Sequence, residues 1–361
     1  MTLSRVQSFD NNTQAFLALV RAGLWETEVR LLPFGNIDFR EVFRLSQEQS
    51  VAGLVAAGLE HVVDVKVPKE VVLAFVGETL QIEQRNTAMN KFIGGTLEKL
   101  MDNGISAVLV KGQGVAQCYE RPLWRKSGDV DLLLDKENYH KAVDYLLPLS
   151  EGNNPEGHYS KHRGLIFSPW YLELHGTFRS GLSLRVDKAI DKVQNNTVGN
   201  GNFRTWMNNK IAVTLPGVDD DVFFIFAHCI QHFYRETLAL KQLCDWCRLL
   251  WVYRDSVDVS LLKERVLELG MVKEWDCFAS AAVEYLGMPQ QAMPLFDSTL
   301  NSKRAADIMH FLICGRYRNK ILKTFEIFKL FPANTTKFLP GILFNVNLLK
   351  IKERLFANGV D

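Results

Sequence analysis

The sequence predicts an α+β fold in which a small mixed sheet lies between two helical regions. Apolar residues recur every three or four positions in the first hundred residues, which is the spacing of amphipathic helices. Between about residue 105 and residue 175 the pattern changes to short apolar runs, which are typical of buried strands. The helical spacing then returns. We therefore expect an N-terminal helical region at 1–104, a core at 105–217 and a C-terminal helical region at 218–361.

The N-terminal region contains three predicted helices, at 12–24, 39–59 and 70–101. Each has an apolar stripe at helical spacing. Asn103 and Gly104 follow the third helix, and both residue types adopt the left-handed backbone conformation that often ends a helix. The N-terminal region is therefore predicted to be all-helical up to residue 104.

The central region is predicted to hold four short strands and two helices. Asp135 is expected to cap the second helix because its carboxylate can accept a backbone hydrogen bond there. Pro169 lies between the last two strands and marks the turn of a hairpin. In chain order the predicted elements are a strand at 105–110, a helix at 112–119, a strand at 130–134, a helix at 136–147 and strands at 164–168 and 170–175.

The C-terminal region is again predicted to be helical, because its apolar residues return to the three-to-four spacing. The three aspartates at 219–221 favour a helix start, since acidic groups stabilise the first turn. The predicted helices are 219–233, 238–253, 260–269, 273–286, 304–318 and an amphipathic segment at 342–355.

The charge balance argues against binding driven by bulk charge. Lys plus Arg is 42 and Asp plus Glu is 41, a net charge of +1, so general adhesion to nucleic acid or to a membrane is not expected. No apolar run has the length of roughly 20 residues that a membrane span needs. The six cysteines are scattered, and the N-terminus lacks a signal-peptide pattern. These features favour a cytoplasmic protein without disulfides.

The strongest chemical signal is the sequence Gly128-Asp129-Val130-Asp131 at the start of an apolar strand. Alternate residues of a strand point to the same face, so Asp129 and Asp131 share one face and repel each other. A divalent cation would relieve that repulsion, because Mg²⁺ is held by carboxylates and substrate phosphates. The alternative is a solvated strand edge or a turn cap.

A third carboxylate, Glu173, lies on a later predicted strand and shares its face with His175. Three acidic groups from neighbouring strands can hold two metal ions. The alternative is an ion pair between Glu173 and an arginine such as Arg163.

A glycine turn follows the first predicted strand. Lys111, Gly112 and Gly114 occur where that strand gives way to a short helix. Glycines let backbone N–H groups approach a phosphate closely, and Lys111 adds a positive charge. The spacing matches neither the P-loop nor the dinucleotide fingerprint, and taken alone it is compatible with a plain turn.

Together these motifs resemble the uncharacterised nucleotidyltransferase family of bacteria, within the DNA polymerase beta-like nucleotidyltransferase superfamily. The match covers about residues 105–175. The superfamily turn usually has Gly followed directly by Ser or Gly, whereas Gln113 separates the two glycines here. The motifs that carry the resemblance are Lys111-Gly112, Tyr119-x-x-Pro122-x-x-Arg125, Gly128-Asp129-Val130-Asp131 and Glu173-x-His175.

The resemblance implies a small mixed nucleotidyltransferase sheet in 105–217 and a metal-dependent transferase. Asp129, Asp131 and Glu173 would be the catalytic residues and the ligands of Mg²⁺ or Mn²⁺. Lys111, Gly112, Gly114, Arg125 and Ser127 would bind a nucleoside triphosphate such as ATP. A nucleoside monophosphate would pass to an unknown acceptor hydroxyl, with release of pyrophosphate.

Two other functions stay open from the sequence. One is a non-catalytic nucleotide-binding or scaffold protein with the same fold, and the other is a metal-dependent phosphohydrolase. The near-neutral charge favours a small-molecule or protein acceptor over a long nucleic acid.

The predicted helix at 219–233 carries two histidines, His228 and His232, which lie four residues apart and share a face. A zinc site from His232, Cys244 and Cys247 is one interpretation, and packed core cysteines are the other. The family resemblance offers a further role, in which His228, His232 and Asp245 line the cleft beside the metal cluster together with His175.

Overall fold

The protein was analysed as a computed structural model that describes residues 9–154, 162–297, 302–315 and 320–342. It has the predicted α+β architecture, with one mixed five-stranded sheet and a separate two-stranded sheet. Helical regions precede and follow the strands along the chain. The N-terminal helices are α1 (Asn11–Trp25), α2 (Phe39–Glu48), α3 (Ala52–Glu60) and α4 (Lys69–Asp102).

The segment predicted as one helix at 39–59 is divided into α2 and α3. Ser50, between them, has a positive φ of 57°, which interrupts the helical backbone. The neighbouring Gln49 is buried and reaches the C-terminal region: its amide nitrogen donates to the carbonyl of Leu312, and its amide oxygen accepts from the backbone N–H of Leu240. The break therefore lies at a contact between the two helical regions, which local periodicity does not reveal.

The five-stranded sheet has the order β1-β2-β5-β4-β3. Strands β2 and β5 are parallel and every other pair is antiparallel, so the sheet is mixed. The strands are β1 (Val108–Val110), β2 (Val130–Leu133), β3 (Gly152–Asn154), β4 (His162–Phe167) and β5 (Trp170–His175), with helices α5 (Gly112–Ala116) and α6 (Lys136–Leu146) between them. The predicted hairpin about Pro169 is confirmed as β4 and β5.

Four described strands and α-helices of the central region were not predicted. They are the short edge strand β3, helix α7 (Leu184–Asn200) and the antiparallel pair β6 (Phe203–Asn208) and β7 (Ile211–Pro216). Residues of α7 include Gly199 and several Asn and Asp, which weaken the helical signal. Strand β6 is mostly exposed, so it lacks the apolar run that indicates a buried strand.

The first five described C-terminal helices agree with the predicted ones to within a few residues, whereas the sixth, at Lys320–Leu330, was not predicted. The six described helices are α8 (Val218–Arg235), α9 (Leu240–Val252), α10 (Val259–Leu269), α11 (Val272–Leu286), α12 (Ser302–Cys314) and α13 (Lys320–Leu330). Residues 316–318 and nearly all of the predicted segment 342–355 lie outside the described residues. None of the described helices is both long enough and apolar enough to cross a membrane.

The two helical regions share one large apolar core. Phe16 and Leu19 of α1 belong to the same buried cluster as Trp246 of α9 and Trp275 of α11. A second, smaller core lies between the sheet and helices α4 and α6, and it contains apolar residues of β1, β2 and β5. The sheet thus lies between two apolar cores. The domain boundaries expected at residues 104 and 217 stay a prediction.

Helices α1 and α3 cross at a contact that only glycine allows. A Cβ atom at Gly58 would lie 2.1 Å from the carbonyl oxygen of Leu19, and one at Gly23 would lie 1.9 Å from that of Leu54. We expect Gly58→Ala to lower the free energy of unfolding by about 1–3 kcal/mol, because the helices must move apart. Chemical denaturation measures this change.

The matched control is Gly77→Ala in the exposed part of α4, where an added Cβ would meet no described atom within 4 Å. This variant should be more stable than the wild type by about 0.5–1 kcal/mol, since alanine is the better helix former. Equal stability of Gly58→Ala and the wild type would contradict the close crossing of α1 and α3.

Candidate functional site

Three carboxylates converge at the sheet, as the sequence predicted. Asp131 of β2 is paired in register with Glu173 of the parallel strand β5, so both side chains lie on one face. Asp129 precedes β2 and is exposed, whereas Asp131 is buried. Ligand oxygens of Asp129, Asp131 and Glu173 all lie within 4.8 Å of one another. This arrangement allows all three groups to bind one cation.

Asp131, the buried carboxylate of the cluster, lies close to two nitrogen donors. Lys111 Nζ lies 3.0 Å from Asp131 Oδ1, and His175 Nε2 lies 2.7 Å from the same oxygen. Burial alone would raise the pKa of Asp131, but Lys111 and His175 outweigh burial and hold that pKa below its usual value. Burial would likewise lower the pKa of Lys111, yet its attraction to Asp131 raises it overall. Both groups are therefore charged at neutral pH.

Asp129 shows that the cluster still carries excess negative charge. Repulsion from Asp131, followed by partial loss of solvent around the carboxylate in the cleft, raises the pKa of Asp129 above its usual value. Lys111 opposes this effect but does not cancel it. Hard divalent cations such as Mg²⁺ and Mn²⁺ prefer carboxylate oxygens, and a nearby cation favours the ionised form. The donor set thus fits the metal that the sequence predicted.

The turn after β1 has a positive φ at two consecutive residues. Lys111 has a φ of 57° and Gly112 a φ of 40°, and both lie beside the cluster. The positive φ at Lys111 is uncommon for a residue with a side chain, and it accompanies the contact from Nζ to Asp131. Gly112 lines the cleft, whereas Gly114 is buried, where an added Cβ would lie 3.0 Å from Leu215.

Arg125, predicted to bind phosphate, is paired with Asp245, predicted to line the cleft. The guanidinium makes two bonds of 2.6 Å to the Asp245 carboxylate, and both residues are buried. Ser127 accepts a third bond from Arg125 at 2.8 Å, and the Tyr119 hydroxyl donates to Asp245. This network joins the loop before Asp129 to helix α9. The direct phosphate contacts predicted for Arg125 and Ser127 stay a prediction.

The same loop is held from its other side by Asn86 of α4. The amide nitrogen of Asn86 donates to the backbone carbonyls of Leu123 and Arg125, at 2.7 and 2.8 Å. Its amide oxygen accepts a bond of 2.8 Å from Gln113. Gln113, the residue that separates the two glycines, is therefore a buried part of the support for the loop before Asp129.

Helix α8 carries His228 and His232 toward the same cleft. Their Nε2 atoms lie 2.8 Å apart, so one imidazole donates to the other. Burial, followed by the positive charge of Lys111, lowers the pKa of His228 well below its usual value. His228 lines the same cleft as the carboxylate cluster. The pair is neutral at pH 7.

The zinc site considered for His232, Cys244 and Cys247 does not form. Within the described residues, the candidate metal clusters contain no cysteine. Cys244 and Cys247 are buried in the large apolar core, and burial raises the pKa of both thiols, so they stay protonated. Packing among apolar side chains therefore accounts for these cysteines.

The predicted site residues open into one large cleft of about 1270 Å³. This volume exceeds the roughly 300–1,000 Å³ of a typical small-molecule pocket, so it leaves room for two substrates. The carboxylate cluster lies in one part, and the exposed side of α8 lines another. Of the predicted residues, those lining the cleft are Lys111, Gly112, Arg125, Asp129, Asp131, Glu173, His175, His228, His232 and Asp245.

Lys241 and His162 are among the cleft residues that were not predicted from the sequence. Lys241 of α9 lines the cleft and donates to the carbonyl of Lys126 at 3.3 Å, while burial, followed by the charge of Arg125, lowers its pKa. A single lysine on a helix gives no sequence signal. His162 lies opposite His175 in the β4–β5 hairpin, with its Nε2 3.1 Å from Glu173 Oε2. The pairing of residues about the predicted turn at Pro169 could have revealed His162.

Metal binding should depend on Asp129. We expect Mg²⁺ to raise the thermal midpoint of the wild type, because a ligand that binds only the folded state stabilises it. Asp129→Asn should lose most of this increase. Its metal-free midpoint should be unchanged or higher, since repulsion from Asp131 is relieved. Differential scanning fluorimetry with Mg²⁺ and with EDTA measures both values.

The control for this experiment is Asp144→Asn on the exposed side of α6. It keeps the carboxylate cluster intact and should retain the full Mg²⁺ response. An undiminished response in Asp129→Asn would mean that the ion binds elsewhere.

The buried pair of Arg125 and Asp245 should be important for stability. Asp245→Asn leaves the Arg125 guanidinium buried without a counter-charge, which costs about 3–5 kcal/mol for pairs of this kind. The control, Glu137→Gln, removes the exposed partner of Lys141 one helical turn away and should cost less than about 1 kcal/mol. Urea denaturation measures the decrease in the free energy of unfolding for both variants. Equal decreases would be inconsistent with a structural role for the buried pair.

Comparison with known proteins agrees with the geometry of the cleft. The family model described as uncharacterised nucleotidyltransferase matches residues 35–287, which is more than half of the chain. This range runs from α2 through α11 and includes the whole carboxylate cluster. No curated protein and no solved structure matches the chain significantly. The chain belongs to the uncharacterised nucleotidyltransferase family.

Proposed function

We propose that this protein is a metal-dependent nucleotidyltransferase. It moves a nucleoside monophosphate from a nucleoside triphosphate to an acceptor hydroxyl and releases pyrophosphate. The observation that carries the proposal is the convergence of Asp129, Asp131 and Glu173 in a large cleft, in a chain that belongs to a nucleotidyltransferase family.

The carboxylates are the proposed metal ligands and catalytic residues. Asp129 and Asp131 hold Mg²⁺ or Mn²⁺, and Glu173 completes the ligand set or accepts the proton of the acceptor hydroxyl. When bound, the ion neutralises phosphate charge and lowers the pKa of that hydroxyl. Lys111 keeps Asp131 ionised, because its ammonium group lies 3.0 Å from the carboxylate.

The triphosphate binds at the turn after β1 in this proposal. Gly112 lines the cleft beside the carboxylates, and Lys111 and Lys241 supply positive charge there. Gly114 packs α5 behind the turn and so maintains its shape. Arg125 and Ser127 hold the loop before Asp129 through their mutual bond and the pair with Asp245, and Arg125 adds positive charge at the wall of the cleft.

The acceptor binds along α8. His228, Gln231, His232 and Arg235 line the cleft at helical spacing, which extends about 10 Å along the helix axis. A surface of neutral imidazoles, an amide and one guanidinium suits a polar small molecule or a protein side chain. No described feature of this surface forms the long basic track expected for a nucleic acid.

The rival functions differ in the products they give. A non-catalytic binding module has no use for three mutually repelling carboxylates, which cost stability without a cation. A phosphohydrolase would release inorganic phosphate. Triphosphates labelled at the α-phosphate and at the γ-phosphate separate the three functions, because only nucleotidyl transfer moves the α label to an acceptor and releases the γ label as pyrophosphate.

The test is to incubate the wild type with each labelled triphosphate, Mg²⁺ or Mn²⁺ and a fractionated cell extract as the source of acceptors. We expect transfer of the α label by the wild type and by Asp144→Asn. Asp129→Asn should lose about three orders of magnitude or more of the rate, since charge stabilisation dominates phosphoryl chemistry.

Equal transfer by Asp129→Asn and by the wild type would contradict the catalytic assignment. Release of the γ label as inorganic phosphate would favour the phosphohydrolase. Metal-dependent nucleotide binding without any turnover, over all fractions of the extract, would favour the binding module.

A further inference from the structure

Two imidazoles lie beside Glu173. Nε2 of His162 lies 3.1 Å from Glu173 Oε2, and Nε2 of His175 lies 3.3 Å from the same oxygen. The two rings are nearly parallel, with centroids 4.7 Å apart and an interplanar angle of 15°. Both imidazoles thus place Nε2 close to the same carboxylate oxygen.

His162 contacts Glu173 at ion-pair distance, with 3.1 Å between Nε2 and Oε2. The direction of this contact is poor for an N–H···O bond, and the buried Nε2 atom has no well-aligned hydrogen bond among the described residues. The lone pair of such a ring nitrogen is available to a metal ion.

The separations fit ligands of a common metal ion. Zinc–nitrogen and zinc–oxygen bonds are about 2.0–2.2 Å long, so two ligands of one ion lie roughly 2.9–3.4 Å apart for bond angles between 90° and 109°. The nitrogen–oxygen distances of 3.1 and 3.3 Å lie in this range. The three ligand atoms of His162, Glu173 and His175 also form a compact group, within 4.8 Å of one another.

The chemistry of this group differs from that of the carboxylate cluster. Imidazole nitrogen is a ligand of Zn²⁺ and other transition-metal ions, whereas Mg²⁺ prefers oxygen. Three protein ligands leave a coordination position for water or a substrate, as in catalytic zinc sites.

We propose that the cleft holds a second, distinct metal site in which His162, Glu173 and His175 bind a divalent transition-metal ion, with Glu173 bridging to the carboxylate site. On binding, His175 Nε2 releases its proton to solvent, its lone pair then binds the ion, and its hydrogen bond to Asp131 is lost. Lys111, 3.0 Å from Asp131, remains the partner of that carboxylate. The inference goes beyond the proposed function and shares only Glu173 with it.

The test is calorimetric titration of the metal-stripped full chain with Zn²⁺ in a large excess of Mg²⁺. The wild type should bind one Zn²⁺ that Mg²⁺ does not displace. His162→Gln should weaken this binding at least about tenfold, while the control His140→Gln, at an exposed histidine of α6, should bind like the wild type. Asp129→Asn should keep the Zn²⁺ site and lose only the Mg²⁺ response.

Three results would contradict the proposed second metal site. The first is complete displacement of Zn²⁺ by Mg²⁺, and the second is an equal Zn²⁺ affinity of His162→Gln and His140→Gln. The third is loss of Zn²⁺ binding in Asp129→Asn. Failure of nucleotidyl transfer with Zn²⁺ binding intact would overturn the proposed function alone.

A second measurement covers the case in which His162→Gln does not fold. In wild-type protein labelled with ¹⁵N-histidine, Zn²⁺ should shift the Nε2 resonances of two histidines to the region of metal-bound imidazole. A spectrum in which no histidine, or only one, responds would contradict the site.

Discussion

The mutual repulsion of Asp129, Asp131 and Glu173 is the constraint around which the cleft is organised. The parallel pairing of β2 and β5 sets Asp131 beside Glu173, so the sheet itself forces the charges together. Lys111 and His175 compensate the buried carboxylate, and the raised pKa of Asp129 shows that compensation is incomplete. Like charges held together by a rigid sheet favour any state in which a cation lies between them. The same feature that weakens the metal-free protein therefore prepares it to bind metal and triphosphate.

The cleft depends on all three regions of the chain, because buried polar contacts hold them together. Arg125 of the loop before Asp129 is bound to Asp245 of α9, and Asn86 of α4 holds the carbonyls of the same loop. Gln49 joins the N-terminal helices to α9 and α12. A shift of α4 or α9 is thus transmitted to the position of Asp129. The helical regions do more than cover the sheet, since they fix the loop that carries a proposed metal ligand.

Much of this arrangement is visible in the sequence, because it depends on local periodicity. The alternation of strand residues predicts the shared face of Asp129 and Asp131, and the turn at Pro169 predicts the β4–β5 hairpin. Long-range contacts have no such signal. The pairing of Arg125 with Asp245 spans 120 residues, so the sequence predicts a triphosphate ligand in Arg125 and a cleft residue in Asp245 without relating the two. The break between α2 and α3 and the cleft position of Lys241 likewise depend on packing across the fold. His162 is an intermediate case, since hairpin register relates it to His175.

The account rests on one claim, that the three carboxylates hold the metal that receives the triphosphate. A crystal structure with Mn²⁺ and a non-hydrolysable nucleoside triphosphate tests it most directly, because the anomalous signal of manganese locates the ion independently of the protein. We predict manganese between Asp129, Asp131 and the phosphate oxygens, with the triphosphate against the turn at Lys111 and Gly112. Manganese distant from Asp129 and Asp131, or a triphosphate bound away from that turn, would contradict the account.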